Sequence, residues 1–391
     1  MCKGANYMVY LILLTAAAPG CRKPYTPGPI SAPGTYLVVE GVIDPGADST
    51  IIKLSNTVNI AGNTSPAVET NAHVTVENEG GASYPLTERT PYYAGQYLAV
   101  GLNLDKTKKY RLHIKTSVGN EYASDYVPVK PTPPVDSVTY KITPKGLQIN
   151  SNTHDATNST RYYRMAYEEA WKYHARYNSE LIIKNGEIVS RREDEQIYYC
   201  YRGDKSANII LASSEKLSQD VIFEHPITLI PPSSEKLTIK YSILLKQYAL
   251  TKEAYAFWEN IRKNTERLGS IFDAQPSQLK GNIHGITNPS ETVIGYVSVA
   301  TMQTKRIFVD NNLFPNTWYV PDDGKCEKNA YRLNNDGEND VDLFIIKGGL
   351  VPITAIFSSF PRKIVGYEAS TVECTDCTLK GATTAPPYWQ F

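Results

Sequence analysis

The sequence predicts a mainly β protein: an N-terminal Ig-like or fibronectin-type β-sandwich, then a larger β-rich domain carrying one prominent α-helix. Three observations carry this expectation. Residues 36–132 divide into short alternating segments separated by Asp-Pro-Gly, Gly-Gly and Gly-Asn turn signals, at the intervals of a sandwich. Residues 251–268 hold the clearest helical period, between segments that look like strands. Finally, 28 Tyr stand against 9 Phe. Tyrosine favours strands and half-wet surfaces, because its ring packs while its hydroxyl finds water or a partner.

At 391 residues the chain is long enough for two or three modules with real cores. Its 40 basic and 40 acidic residues cancel, which argues against nucleic acid as the main partner, since phosphate binding needs a positive excess.

The first 20 residues have the composition of a signal segment: Lys3, an apolar run over 7–18, then Ala18, Pro19 and Gly20 before a cysteine. This resembles a bacterial lipobox, in which Cys21 becomes the lipid-modified first residue and anchors the protein to a membrane. The apolar run is short for a span, and nothing later is apolar for long enough to cross a bilayer. Residues 21–35, rich in Pro, Gly and Ser, are the expected tether.

In the sandwich expected over 36–132, Val74 and Val76 should face inward while Thr75 and Glu77 face water. His113 lies in a segment of the same two-residue period and is an ordinary strand residue on that pattern. No cysteine pair is available there to bridge the sheets. Pro131, Pro133 and Pro134 then mark a linker, being hard to place inside a sheet.

The second domain, 135–391, opens with VDSVTYKI and an aromatic run in which Tyr163, Met165, Tyr167, Glu169 and Trp171 alternate along one side of a strand. A further strand over SEKLTIKYSILLKQYAL feeds the helix. There Thr251 is the expected N-cap, Glu253 sits in the first turn, and Gly269 is the stop. Tyr255, Trp258, Ile261, Thr265 and Leu268 make its apolar face. After a turn region, TVIGYVSVATMQTKRIFVD has the look of a long hairpin or bent strand. A polar loop follows, DLFIIK and IVGYEAS return to strand, and the last 20 residues form a clamped tail.

Signal removal and lipidation leave Cys200, Cys326, Cys374 and Cys377. An even number in an exported chain points to disulfides, with three possible connectivities. Cys374 and Cys377 could close a strained local bridge, whereas links to Cys200 and Cys326 would pin the tail to the core. A single CxxC is weak evidence for zinc.

Catalytic signatures are absent from the sequence: no HExxH, no GxSxG, no phosphate-cradling glycine loop. Neighbours on a strand point to opposite faces, so Glu168 and Glu169 are not a glycosidase pair. Asp336 and Asp340 lie in an oxygen-rich loop that could suit calcium. The EF-hand register nevertheless fails, placing Arg332 at the first ligand and Leu343 at the last, so no metal and no cofactor is expected. Tyr255 and Trp258 are candidates for a stacking platform, against the plainer expectation that they pack on a sheet. His284, set between turn residues, is the histidine to examine.

YLVVEGVID, the PVDSV joint, YYRMAYEEAW, the run from YSILLKQYAL to GNIHG, IGYVSVATMQTKRIF and the closing CTDC and PPYW resemble, in this order, a Bacteroidetes lipoprotein family. It is catalogued as domain of unknown function 4249. The resemblance implies an outer-membrane, lipid-anchored protein, at the cell surface more than the periplasmic leaflet. It further implies a non-enzymatic accessory or binding subunit of a TonB-dependent nutrient transporter. The alternatives are a structural scaffold in outer-membrane assembly or adhesion and, third, an exported hydrolase. The family transfers no catalytic residues.

Overall fold

The computed structural model describes residues 36–58, 67–266, 281–320, 324–333 and 339–390. The signal segment, Cys21 and the tether lie outside them, as do Leu268, Gly269 and Asp336. The described chain is mainly β.

The first eight strands are β1 (Leu37–Ile43), β2 (Ser49–Asn56), β3 (His73–Asn78), β4 (Ser83–Arg89), β5 (Tyr93–Val100), β6 (Lys109–Lys115), β7 (Glu121–Ser124) and β8 (Val127–Lys130). Alternation places Val74, Val76, Leu112 and Ile114 in one shared core with Leu37, Ile52 and Tyr97. Thr75, expected at water, is buried as well, in register with Pro85 on one side and His113 on the other. A central strand is covered by its neighbours on both edges, which the two-residue period does not report.

The next nine are β9 (Val135–Thr143), β10 (Gly146–Asp155), β11 (Tyr162–His174), β12 (Leu181–Lys184), β13 (Glu187–Ser190), β14 (Tyr199–Lys205), β15 (Ile210–Ser213), β16 (Asp220–Ile230) and β17 (Lys240–Ala249). β9, β10 and β16 form a three-stranded sheet, while β14, β15 and β17 gather around β11. The two sheets face each other over one core, in which Val138, Leu147 and Ile149 meet Tyr163, Met165 and Ile243. β17 leads directly into helix α1 (Lys252–Glu266), capped by Thr251, whose Oγ1 accepts from the Ala254 amide at 3.2 Å.

The segment after the helix does something that local patterning does not announce. β18 (Ile283–Gly285), β19 (Ile294–Gly295) and β20 (Ser298–Ala300) return to the N-terminal strands. β18 pairs with β7, β19 with β1, and β20 lies parallel between β1 and β8. Because β8 also pairs with β6, the hydrogen bonding runs β6-β3-β4-β5-β2-β1-β20-β8 and back to β6. The pairing is thus a closed ring, where two separate Ig-like sheets were expected from 36–132. Closure removes the edges of the eight ring strands that an open sheet would keep, while β7 and β18 branch off β6. It also means that a boundary at 132–135 does not divide the chain cleanly, since residues 283–300 complete the first layer.

One residue beyond β20, β21 (Met302–Asp310) enters the other sheet as the partner of β17. The segment expected as a long hairpin or bent strand is three strands, β19, β20 and β21, and it stitches ring to sheet. The proline linker is pinned at the same joint: the Thr132 amide donates to Thr301 Oγ1 at 2.9 Å, and Gln247 Nε2 donates to the Pro133 carbonyl at 3.0 Å.

β22 (Asn329–Arg332), β23 (Val351–Phe357) and β24 (Ile364–Ser370) form a last small sheet, followed by α2 (Val372–Thr375). DLFIIK, expected as a strand, lies in a π-helical turn over Val341–Ile346. Val341 and Ile345, four residues apart, are buried while Leu343 and Phe344 face out, which is a helical spacing. The tail is clamped by two disulfides, Cys200–Cys377 and Cys326–Cys374. Beyond them Trp389 packs edge-on against Tyr201 and Phe308.

Candidate functional site: a charged cleft between ring and sheet

β11 sorts its side chains by parity. Glu169, on the core face, is buried against Lys236 and accepts from the Tyr241 hydroxyl at 2.8 Å. Glu168, on the other face, meets Lys246 at 2.7 Å and Lys205 at 3.5 Å. Burial is the largest single influence on the Glu168 pKa and would raise it, but the hydrogen bonds and charges of Lys246 and Lys205 together outweigh it and hold the carboxyl below its usual range. The adjacent glutamates are separated by the sheet itself.

Helix α1 covers the start of the outer face. Tyr255 packs on Tyr162 with ring centres 5.1 Å apart, and Trp258 receives the Arg164 guanidinium 3.7 Å above its ring centre. Beyond the helix this face opens into a cleft of about 740 Å³ bounded on its far side by the ring. The sheet and helix contribute Arg164, Lys205, Lys246, Tyr248 and Trp258. From the ring come Glu40 on β1, Asp44 and Asp48 in the turn after it, Lys53 on β2, and Arg89 with Tyr93. Arg89 repeats the Arg164 arrangement, its guanidinium 4.1 Å from the Tyr93 ring centre, with a 3.3 Å hydrogen bond to Gln96.

Met302 ties the two walls. Tyr248 donates to Met302 Sδ at 3.1 Å, and the Met302 amide donates to Asp44 Oδ2 at 3.3 Å. Asp44 also accepts from the Gly46 amide at 2.7 Å, while burial pushes its carboxyl pKa up. Arg164 differs from Arg89, Lys205 and Lys246. Among the described residues no hydrogen bond or ion pair reaches its guanidinium, which rests on Trp258 alone. Burial lowers its pKa, opposed by Tyr248 and Glu40.

Of the residues singled out in the sequence, Trp258 lines this cleft and Tyr255 packs beneath the helix beside it. His284 lies elsewhere, exposed on β18 with Nε2 3.0 Å from Asp125 Oδ1. Asp340 precedes the π-helical turn, and Asp336 is outside the described residues. Among the described residues no group of three or more His, Cys, Asp or Glu is placed to hold a metal ion. Sequence reasoning missed Arg164, Arg89 and Glu40. For Arg164 a signal existed: it occupies the outward parity of β11, where a charged residue is unremarkable until a second wall faces it.

A model of the family described as domain of unknown function (DUF4249) matches residues 22–306. No curated protein matches. Among solved structures, Chitinase ChiA74 from Bacillus thuringiensis is 11% identical, with 47% of this chain and 30% of that chain covered and a TM-score of 0.15. The chain thus spans less than a third of that protein's length, and the likeness carries no argument.

Proposed function

The chain belongs to the DUF4249 family, and we propose that it acts as a non-enzymatic binding subunit, lipid-anchored through Cys21 in the outer membrane and associated with a TonB-dependent nutrient transporter. The observation that carries the binding part is the cleft of about 740 Å³, within the range of small-molecule sites, with arginines on aromatic rings in its walls. The membrane and transporter parts come from the lipobox-like start and the family resemblance.

The test is a mild-detergent pull-down of the tagged, lipidated protein from its own outer membrane, followed by mass spectrometry. A stoichiometric TonB-dependent transporter is the expected result. Recovery of barrel-assembly machinery instead would support the scaffold alternative, and recovery of the protein alone, where known complexes survive, would overturn the assignment.

A further inference from the structure

The chemistry of the cleft selects among ligand classes. Among its cations, which also include Lys53, Arg89, Lys205 and Lys246, Arg164 lies against Trp258 as a guanidinium that no hydrogen bond or ion pair reaches among the described residues. A guanidinium presents parallel N–H donors matched to a carboxylate, and the ring behind it holds the plane while leaving those donors available. Its acidic part is Glu40, with Asp48 nearby in sequence on the same wall. Glu40 is near enough to act on the Arg164 charge, yet the two form no ion pair. The space between them suits something carrying both signs.

Other ligand chemistries fit less well. Of the five cations in the walls, Lys205 and Lys246 are held by Glu168 and Arg89 by Tyr93 and Gln96, so inorganic phosphate or a polyanion would meet Arg164 and Lys53 but bring its charge against Glu40, Asp44 and Asp48 in the same cleft. A neutral sugar would leave both the guanidinium and the carboxylates without a charged partner. A lone amino acid has both charges but too little volume for about 740 Å³. Tyr93, Tyr248 and Trp258 add aromatic wall on which an apolar side chain can lie.

We propose that this cleft binds a short peptide with free termini, its C-terminal carboxylate taken by Arg164 against Trp258 and its α-ammonium by Glu40. The inference deepens the binding-subunit reading and rests on it for its biological setting, since it names what the subunit would hold.

The test is calorimetric titration of the full chain, purified in detergent, with trialanine and Ala-Phe-Ala. Each is used free, C-amidated and N-acetylated, beside trigalacturonate and inorganic phosphate. The expected result is binding of the free peptides, weakened about tenfold or more by either modification. Arg164→Lys keeps the charge but not the fork, so it should weaken the free peptide and narrow its advantage over the amidated one. Glu40→Gln, at an exposed position, should remove the preference for free over acetylated peptide without threatening the fold. Equal binding of free and amidated peptide, no binding of either free peptide, or tighter binding of trigalacturonate or phosphate would each overturn the proposal. A transporter recovered by pull-down with no peptide bound sinks this inference alone. Arg164-dependent peptide binding without a transporter sinks only the transporter association.

Discussion

A Cβ placed on Gly281 would stand 1.5 Å from the carbonyl oxygen of Gly295, so these two glycines back directly onto each other where the chain returns to the ring. Gly295 itself has φ +147°, and a Cβ there would meet the Val39 carbonyl oxygen at 2.3 Å. Asn282 fixes the same turn with both ends of its amide, donating to the Val297 carbonyl at 2.9 Å and accepting from the Val297 amide at 2.8 Å.

Ring closure therefore depends on the absence of side chains at these positions. Gly281→Ala and Gly295→Ala should each lower stability by about 2 kcal/mol or more, since backbone must move in both cases. Thermal melting of the purified chain checks this. Unchanged melting in both variants would show that the return segment does not need the close glycine contact.

The two disulfides join residues separated by 177 and 48 positions, so each restrains a long stretch of the unfolded chain. Replacing Cys200 and Cys377 together by Ser should cost about 2–5 kcal/mol. Non-reducing peptide mapping should recover Cys200 with Cys377 and Cys326 with Cys374. A local Cys374–Cys377 product would contradict the pairing.

Glu169 is 5% exposed and held by Lys236 and Tyr241. Lys236→Met would leave a buried carboxylate with only the tyrosine hydroxyl, an expected loss of about 3 kcal/mol in urea unfolding. Glu169→Gln should cost less, because an amide needs no counter-charge. The reverse order would show that Lys236 does not act chiefly by neutralising a buried charge.

Asp155 organises the turn between β10 and β11. Its carboxylate accepts from the Thr157 amide at 2.9 Å, the Thr157 hydroxyl at 2.6 Å, the Ser159 hydroxyl at 2.9 Å and the Thr160 amide at 2.8 Å. Burial alone would raise its pKa, but these bonds outweigh it and hold the carboxyl far below the usual range. A depressed folded pKa contributes stability above the unfolded value of about 3.9, and that stability is lost as pH falls below it. Asp155→Asn should therefore be less stable than the parent at neutral pH and show a shallower loss between about pH 4 and pH 2. Parallel acid-unfolding slopes would rule this group out as a contributor.

Much of the architecture was legible because it is local. The alternation of Val74 and Val76, and of Tyr163, Met165 and Trp171, marks strands with one face in a core, and the structure buries all five. Thr251 announced the helix start through its position before a periodic run, and its hydroxyl does cap Ala254. DLFIIK misled because a short apolar run fits either period. Only the tertiary packing, with Ile183 and Ile188 of the β12–β13 hairpin and Tyr331 of β22 against Val341 and Ile345, selects the helical one.

The candidate site was barely legible. Trp258 was visible as an aromatic on a helix face, but that pattern is equally a packing face. Its meaning depends on Arg164, more than 90 positions away, and on Glu40, more than 200 positions away.

By itself the sequence determined most of the strands, DLFIIK excepted, where the helix begins, that the described cysteines would pair, and that Glu168 and Glu169 would part company across a sheet. These follow from side-chain periodicity and composition, which act over a few residues. Only the tertiary structure decided that residues 283–300 close the N-terminal ring, which cysteines join, and that Arg164 and Glu40 line one cleft. Each of those is a pairing between distant positions, selected by the burial and backbone hydrogen bonding of the whole fold, and no local period encodes it.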